Sequence, residues 1–502
     1  MQRIILFVCL LLANITLAQS QKSLPRSTPS AEGVSANAIQ QFLDAAAASK
    51  HEFHSMMILR NGKVIAEGWW DPYKPELVHT MYSVSKSFTA TAIGFAVAEQ
   101  QLSVSDKVLD FFPAYKDGAS DYLRQLEIKD LLTMSVGHEK SFNQDIFPKE
   151  DWVEAFMAMP IANEPGTKFM YNTSASYMLS AIIKKVTGQN LTEYLTPRLF
   201  EPLEIKGIDW ETDPDGIDTG GWGLRLKTED MAKFGLLFLQ KGQWEGKQLL
   251  PESWIEEAST AKIMQEPDAD ATKFANNDWI QGYAYQMWRS RHNSYRADGA
   301  FGQYILVLPE VEGVIIFTSE TNDLQGILNL AWQHLLPAFK GAEGDDLLLQ
   351  KRLSNLSISP QKGMPQYQSE KKYGGKTYHS ASTNTKAKSI QVKFKKGTCV
   401  LTLDSTYKFK LGEGKWIRGT TTRKGPNLFD FAQNYLEGLP SFQVAGSYGW
   451  DDANTLNLAL KYTESPHTEH IQLKFSATGV TATFQNSHEQ ADKKKVHELK
   501  LK

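Results

Sequence analysis

The segment from about residue 35 to about residue 340 begins and ends with strand-like runs, and helical patterns lie between them. Near its start, MMILRNGKVIAEGWW consists of two apolar runs around Asn61-Gly62, a dipeptide typical of a two-residue β-hairpin turn. Near its end, QYILVLPE and GVIIFTSE are again strand-like, and helical segments such as SASYMLSAIIKKVTG lie between the two groups. A sheet that joins N- and C-terminal strands around a helical block predicts an α+β domain.

The pattern changes in the last third of the chain. From about residue 354 the composition shifts to Ser, Gln, Lys, Pro and Gly, which is typical of a linker. Beyond it, the runs SIQVKF, CVLTLD, TLNLALKY and HIQLKF alternate apolar and polar residues and are separated by turn signals. Alternation without helical periodicity predicts a small antiparallel β domain, either a barrel or a sandwich.

The N-terminal stretch MQRIILFVCLLLANITLAQSQ has the layout of a secretory signal peptide. A basic Arg3 precedes an apolar run, and small or neutral residues precede Ala18. The apolar run is too short for a comfortable membrane span. We therefore expect cleavage after Ala18 and export of a periplasmic or secreted protein. The predicted organisation is a signal peptide at 1–18, an α+β domain at 19–350, a linker at 351–375 and an all-β domain at 376–502.

Charge and composition argue against several classes of function. The 502 residues carry a net charge of −3, so no strong basic field is available to attract nucleic acid or anionic lipid. Removal of the signal peptide leaves Cys399 as the only cysteine, which excludes an intramolecular disulfide. His51 and His54 have helical i, i+3 spacing, but no acidic partner stands at metal-binding spacing. We expect no metal or other cofactor, no nucleic-acid partner and no membrane span, while the oligomeric state stays open.

The segment MYSVSKSF places Ser83 and Lys86 three positions apart at the start of a long apolar helical pattern. Three-residue spacing puts both side chains on one face of a helix, so the amine can reach the hydroxyl. A serine hydroxyl is a weak nucleophile until a base takes its proton, and a helix N-terminus favours the negative charge that develops. The alternative is an ordinary helix-start serine with a solvated lysine. Other Ser-x-x-Lys matches lie in the linker, in the β domain or at a polar helix end: Ser259, Ser359, Ser369 and Ser405.

The wider segment YSVSKSFTATAIG resembles the nucleophile motif of the serine β-lactamase and penicillin-binding-protein superfamily, and most closely its esterase and nylon-oligomer (aminohexanoate) hydrolase branch. A second segment, EPGTKFMYNTSASYMLSAIIKKVTG, resembles the family's Pro-Gly-x-x-Phe-x-Tyr block, in which Tyr171 matches the catalytic tyrosine. Further similar segments follow in the family's order: LLTMSVGH, GGWGLRLKTEDMAKFG, GYAYQMW and ADGAFGQYILVLPE. The resemblance covers residues 33–339 and implies a β-lactamase-like antiparallel sheet with a helical domain, followed here by the all-β domain.

The resemblance implies that Ser83, Lys86 and Tyr171 are the catalytic residues. A tyrosine beside a lysine can relay the serine proton to the leaving group. Lys86 is then either the base itself or the cation that holds Tyr171 as a phenolate, and both roles stay open. The family's pattern has asparagine where Thr173 stands, which weakens the transfer of an amide-binding role. His138 is interpreted as a packing histidine that supports the site.

The third family motif, Lys-Thr-Gly or His-Thr-Gly, is replaced by Ala297-Asp298-Gly299. The basic residue that would bind a substrate carboxylate is therefore missing. The resemblance still implies an oxyanion hole made by the backbone N–H groups of Ser83 and Phe301. The residues implied to bind substrate are Asn172, Thr173, Trp222, Tyr283, Trp288 and Gly299. The aromatic residues among them, with Tyr285, suit a protein core equally well.

Together these features predict an exported serine hydrolase of carboxylesterase or amidase type. It would cleave a small-molecule ester or amide through an acyl-enzyme on Ser83. Loss of the basic third motif disfavours β-lactamase or D,D-peptidase activity, which is one alternative. The other is a non-catalytic binding or scaffold protein that keeps the fold, although Ser83, Lys86 and Tyr171 are all present.

Overall fold

The chain forms an α+β unit followed by an all-β unit, and the predicted fold class is confirmed. The structure is a computed structural model that describes residues 23–380, 382, 385–489 and 497–501. The predicted signal peptide at 1–18 lies outside the described residues. Among the helices that the structure does describe, none is long and apolar enough to cross a membrane.

A six-stranded antiparallel sheet organises the α+β unit. The strands of this unit are β1 (Glu52–Arg60), β2 (Lys63–Trp69), β3 (His79–Thr80), β4 (Arg225–Leu226), β5 (Gln243–Trp244), β6 (Lys247–Gln248), β7 (Trp288–Ser290), β8 (Ser294–Gly299), β9 (Gln303–Leu308) and β10 (Gly313–Glu320). The main sheet has the order β2-β1-β10-β9-β8-β7, so N- and C-terminal strands share one sheet as predicted. Arg60 pairs with Lys63, and Asn61 and Gly62 have φ of 51° and 75°, which confirms the predicted two-residue turn.

Helices cover both faces of this sheet. They are α1 (Ala36–Ala48), α2 (Ser85–Ala98), α3 (Val108–Phe111), α4 (Asp121–Gln125), α5 (Ile128–Leu132), α6 (Asn143–Ile146), α7 (Trp152–Met157), α8 (Thr173–Thr187), α9 (Leu191–Leu195), α10 (Thr228–Leu239), α11 (Glu252–Ser259), α12 (Ala271–Asn276), α13 (Leu324–Leu330), α14 (Leu336–Ala338) and α15 (Asp346–Leu353). Side chains alternate between the two faces of a strand, so β1 serves two cores. Met57 and Leu59 belong to the core that holds the helical block, whereas Met56 and Ile58 belong to the core beneath α1.

The predicted helix around the Ser83 motif begins with a tighter turn than the sequence pattern indicates. A 3₁₀ turn at Tyr82–Val84 carries Ser83 and runs directly into α2. Nearly all of α2 is buried, so its hydroxyl groups need partners inside the protein. Ser87 Oγ donates to the Gln286 carbonyl at 2.7 Å, and Thr89 Oγ1 donates to the Gly220 carbonyl at 2.7 Å. These bonds fix the helix and hence the turn in front of it.

The all-β unit is a nearly closed barrel. Its elements are α16 (Tyr367–Tyr373), β11 (Thr377–His379), β12 (Ser389–Phe394), β13 (Thr398–Leu403), β14 (Tyr407–Glu413), β15 (Ile417–Thr421), β16 (Phe442–Trp450), β17 (Thr455–Tyr462), β18 (Thr468–Phe475), β19 (Val480–Asn486) and β20 (His497–Leu501). A bridge between Ser380 and Leu501 joins the first strand's end to the last strand, which selects the barrel over the sandwich. The segment predicted as a linker contains α16, whose Tyr373 stacks on Phe475 at 4.2 Å.

The turn between β17 and β18 of the barrel lies against the α+β unit. Thr80 N–H donates to the Glu464 carbonyl at 2.9 Å, and the Tyr73 hydroxyl donates to the Ser465 carbonyl at 2.9 Å. Lys461, only 2% exposed, donates to Glu52 at 2.7 Å. The barrel is therefore packed directly behind the segment that leads into Ser83.

Candidate active site

A pair of short strands holds the chain that leads into the turn carrying Ser83. β3 pairs with β4, and the Met81 N–H donates to the Leu224 carbonyl at 2.9 Å. Tyr82 has a φ of 46°, a left-handed conformation that costs about 1–2 kcal/mol in a residue with a side chain. Surrounding contacts must offset this cost, and a strained residue of this kind is common next to a functional group.

Tyr171 lies next to the predicted nucleophile. An interaction with the Ser83 side chain by itself lowers the pKa of Tyr171, which places the two hydroxyl groups near each other. Tyr171 stands two residues before α8, so the start of that helix determines where the hydroxyl lies. Burial, with a further effect of the Asp298 carboxylate, raises the pKa of Tyr171 above its usual value. The phenol therefore stays protonated at neutral pH.

Lys86 is a buried amine with a low pKa. It is 1% exposed, and burial lowers its pKa from 10.5 to about 7 although the Asp298 carboxylate raises it. Its Nζ donates to the Gly221 carbonyl at 2.7 Å and to Thr173 Oγ1 at 3.3 Å. Nζ also lies 5.3 Å from the centre of the Tyr171 ring. A substantial fraction of the amine is neutral at pH 7 and can accept a proton.

Thr173 occupies the position where the family pattern has asparagine, and it keeps a contact with Lys86. Its hydroxyl oxygen accepts from the amine, as described above. Gly221 approaches from the other side, since a Cβ there would lie 2.6 Å from Thr173 Cγ2 and 3.1 Å from Lys86 Nζ. The absence of a side chain at Gly221 thus allows its carbonyl to reach the amine, a contact that no sequence motif indicated.

Asn172 has a different environment from the one predicted for a substrate-binding residue. It is fully buried and caps α8, with Oδ1 accepting from the Ser174 N–H at 3.0 Å. Its Nδ2 lies 3.0 Å from His138 Nδ1. Burial lowers the pKa of His138 to about 4, so this imidazole is neutral and accepts from the amide. Both residues hold the helix start that follows Tyr171, as expected for His138.

The Ala297-Asp298-Gly299 segment ends β8 beside the Ser83 turn. Asp298 accepts from Arg296 Nε at 2.9 Å, and Arg296 is fully buried. Burial raises the pKa of Asp298, whereas Arg296 and Lys86 lower it. The carboxylate of Asp298, paired with the guanidinium of Arg296, therefore lies near Lys86. From the sequence, this segment was notable only because it lacks the basic residue of the third family motif. The charge of Arg296 is balanced within the protein.

Gly299 is required where β8 passes the Ser83 turn. A Cβ at this position would lie 2.2 Å from the Met81 carbonyl oxygen. We expect Gly299→Ala to lower the free energy of unfolding by about 1–3 kcal/mol, because the backbone must move to relieve the overlap. The same shift should reduce ester hydrolysis. Denaturant unfolding checks this result, with Gly341→Ala as the control because no atom lies within 4 Å of a Cβ there. Equal stability of both variants would contradict the prediction.

Phe301, the second predicted oxyanion residue, follows in the β8–β9 turn. Its φ is 67°, so it is left-handed like Tyr82. The rings of Tyr82 and Phe301 meet edge to face with centroids 5.6 Å apart. The residue before Ser83 and the residue that carries the second predicted N–H are therefore packed against each other.

The predicted aromatic residues divide into two groups. Trp288 stacks on Tyr171 with centroids 5.6 Å apart, and Tyr283 meets Tyr171 edge to face at 6.4 Å. Trp222 is 1% exposed and stacks on Phe429 of the barrel unit at 4.2 Å. Tyr283 and Trp288 thus pack against Tyr171, whereas Trp222 belongs to the core between the two units. The structure groups these predicted residues around the Ser83 turn: Lys86, Tyr171, Thr173, Tyr283, Trp288, Gly299 and Phe301.

No group of three or more histidine, cysteine, aspartate or glutamate residues suited to a metal ion occurs within the described part of the chain. His51 instead contacts Thr321 at 2.8 Å, and His54 contacts His79 at 3.1 Å and Glu52 at 3.1 Å.

The α+β unit that contains these residues matches a known family. The beta-lactamase family model matches residues 36–336, which is more than half of the chain. The chain belongs to the beta-lactamase family. A 6-aminohexanoate-dimer hydrolase from Paenarthrobacter ureafaciens is 21% identical over 290 residues, which cover 54% of this chain and 73% of the relative. Protein flp from Staphylococcus aureus (strain MW2) is 28% identical over 166 residues, 30% of this chain and 33% of flp.

A solved structure has the same fold as the α+β unit. A Bacillus anthracis protein assigned as a 6-aminohexanoate-dimer hydrolase superposes with a TM-score of 0.51 at 19% identity. The superposition covers 63% of this chain and 87% of the other. The family and its relatives together support a hydrolase with the β-lactamase fold.

Proposed function

We propose that the protein is a serine hydrolase that cleaves a small ester or amide through an acyl-enzyme on Ser83. The observation that carries this proposal is the buried Lys86, whose pKa burial lowers to about 7, one helical turn after Ser83 and 5.3 Å from the centre of the Tyr171 ring. A weak nucleophile, a protonated phenol and a base of suitable pKa are the groups that acyl transfer requires.

Lys86 acts as the base of acylation. A neutral amine has two N–H donors and one lone pair. The Gly221 and Thr173 oxygens accept both donors, which leaves the lone pair for the Ser83 proton. As Lys86 takes this proton, Ser83 Oγ forms a bond to the carbonyl carbon. The N–H groups of Ser83 and Phe301 stabilise the negative charge on the carbonyl oxygen.

Tyr171 completes the reaction as a proton relay. Its raised pKa keeps the hydroxyl protonated, so it can donate to the leaving oxygen or nitrogen while it recovers a proton from Lys86. The bond to the leaving group breaks and the acyl-enzyme remains. A water molecule then attacks the acyl carbon, its proton returns through the same residues, and the acid is released with Ser83 regenerated.

The charges near the site favour a substrate without a carboxylate next to the scissile bond. Ala297 supplies no cation, and the nearby guanidinium of Arg296 is already paired with Asp298. An ester or amide with a neutral group at this place therefore fits better than a penicillin or a peptide carboxylate. The relative named as a 6-aminohexanoate-dimer hydrolase supports an amide among the substrates to be tested.

Covalent labelling tests the proposal. A fluorophosphonate probe should modify the protein once, and peptide mass analysis should place the label on Ser83. An excess of p-nitrophenyl butyrate should slow the labelling because both compounds use the same hydroxyl. Absence of label in the folded protein, or a label confined to another serine, would contradict the proposed mechanism.

We further propose that the chain is exported through residues 1–18. The basic Arg3 and the apolar run that follows support this proposal. Expression of the full chain in a bacterial host should give a periplasmic or secreted product whose N-terminus is Gln19. A cytoplasmic product that retains residues 1–18 would contradict export.

A further inference from the structure

His467 of the barrel unit is buried at the contact between the two units. It is 0% exposed and lies in the turn between β17 and β18. Its Nε2 is 2.6 Å from the Tyr82 hydroxyl, and its Nδ1 is 2.7 Å from Glu320 Oε1. Ser487 Oγ donates to the same carboxylate oxygen at 2.6 Å. A tyrosine, an imidazole and a carboxylate therefore form one buried chain of hydrogen bonds.

The second contact of His467 is with the β8–β9 turn. The ring of Phe301 meets the imidazole edge to face with centroids 4.7 Å apart. One side chain of the barrel unit therefore touches both Tyr82, which precedes Ser83, and Phe301. Both residues have a left-handed backbone conformation. Tyr82 directly precedes the Ser83 N–H of the predicted oxyanion hole, and Phe301 carries the second N–H.

The carboxylate of Glu320 orients the imidazole. Burial by itself would raise the pKa of Glu320, but the hydrogen bond with His467, the Lys461 ammonium and the hydrogen bond with Ser487 lower it below its ordinary value. An ionised carboxylate accepts from a proton-bearing Nδ1, and this contact turns Nε2 towards the Tyr82 hydroxyl. The Leu428 N–H donates to the Tyr82 oxygen at 3.3 Å, so both functions of that hydroxyl are used within the barrel contact.

We propose that His467 is a positioning residue for catalysis. By binding Tyr82 and packing on Phe301, it holds the two left-handed residues in the conformation that aims the Ser83 and Phe301 N–H groups at the reacting carbonyl. The barrel unit is thus a working part of the active site. This inference rests on the proposed hydrolase function.

The test measures kcat and KM separately for p-nitrophenyl acetate. His467→Phe keeps an aromatic ring against Phe301 and removes the hydrogen bond to Tyr82. We expect kcat to fall about tenfold with KM within twofold of the wild type, because a displaced oxyanion hole affects the transition state more than substrate binding. Tyr82→Phe removes the same bond from the other side and should have a similar effect. The double variant should be no slower than either single variant.

His470→Phe provides the matched control. His470 lies on β18, three residues after His467, and its replacement should leave kcat within twofold of the wild type. Values of kcat within twofold for both His467→Phe and Tyr82→Phe would overturn the proposal, as would multiplicative effects in the double variant or an equal loss in His470→Phe. Melting temperatures identify a variant that does not fold. If His467→Phe fails in this way, Tyr82→Phe alone decides the question.

Failure of this inference is distinct from failure of the proposed function. In the first case the wild-type protein is labelled at Ser83 and hydrolyses the ester, but the His467 variant does so equally fast. In the second case the wild-type protein itself gives no Ser83-dependent turnover.

Discussion

Ser83→Ala should lower kcat for p-nitrophenyl esters by at least about 10⁴-fold, because no other group can form the acyl bond. The hydroxyl that this change removes lies near Tyr171, and Ser83 is half-buried at the turn before α2. Loss of one oxygen atom there leaves the turn and helix intact, so the melting temperature should stay close to that of the wild type. Steady-state kinetics and fluorophosphonate labelling of the same preparation measure both effects.

The chain offers a matched control for this variant. Ser259 has a lysine three residues later, at Lys262, and so satisfies the same Ser-x-x-Lys pattern. Its hydroxyl donates to the Ile255 carbonyl at 2.7 Å near the end of α11. Ser259→Ala should therefore retain wild-type turnover and labelling. If Ser83→Ala keeps its activity, or if both serine variants lose it equally, Ser83 is not the nucleophile.

Lys86→Met should lower kcat/KM by about 10²–10⁴-fold, the usual contribution of a general base. Methionine has a length similar to the lysine stem and no basic group, so the buried site is refilled while proton transfer is lost. The pH dependence provides a second measurement. In the wild type, kcat/KM should fall as pH drops below about 7, because protonation of Lys86 removes the lone pair. In the variant this dependence near pH 7 should disappear.

Lys233→Met controls for the loss of a buried amine. Lys233 lies on α10, is 1% exposed and donates to the Glu204 carbonyl at 3.2 Å. Its replacement should preserve the pH profile of kcat/KM even if stability changes. A wild-type profile that is flat between pH 5 and 8, or a Lys86→Met enzyme with unchanged kcat/KM, would exclude Lys86 as the acylation base.

The sequence predicted those parts of the fold that depend on short-range periodicity. The Asn61-Gly62 dipeptide favours two positive φ values, which gave the correct hairpin turn. The terminal strand runs predicted a shared sheet, which the structure has. The sequence did not distinguish a barrel from a sandwich for the β domain. Closure of the barrel depends on a pairing between Ser380 and Leu501, which are far apart in the chain.

For the candidate site, the Ser-x-x-Lys spacing alone fits five serines of the chain. The position of Ser83 at the start of a buried helix and the family resemblance singled out Ser83 and Lys86, and the resemblance alone singled out Tyr171. The partners of those groups did not follow from any local pattern. The Gly221 carbonyl is 135 residues from Lys86, and Asp298 was noted only as part of a segment without a base. Asn172 is next to Tyr171 in sequence. Its backbone is extended just before α8, and its side chain therefore caps that helix.

The sequence by itself thus determined the α+β unit and the appended β unit, since each is encoded by periodicity within a few residues, while the candidate residues for acyl transfer came from the family resemblance. The tertiary structure decided the protonation states and the support of the site. Burial lowers the pKa of Lys86 and raises that of Tyr171, and burial is a property of the assembled core. The contact between Tyr82 and His467 spans 385 residues, so only the folded chain places the barrel behind the turn that carries Ser83.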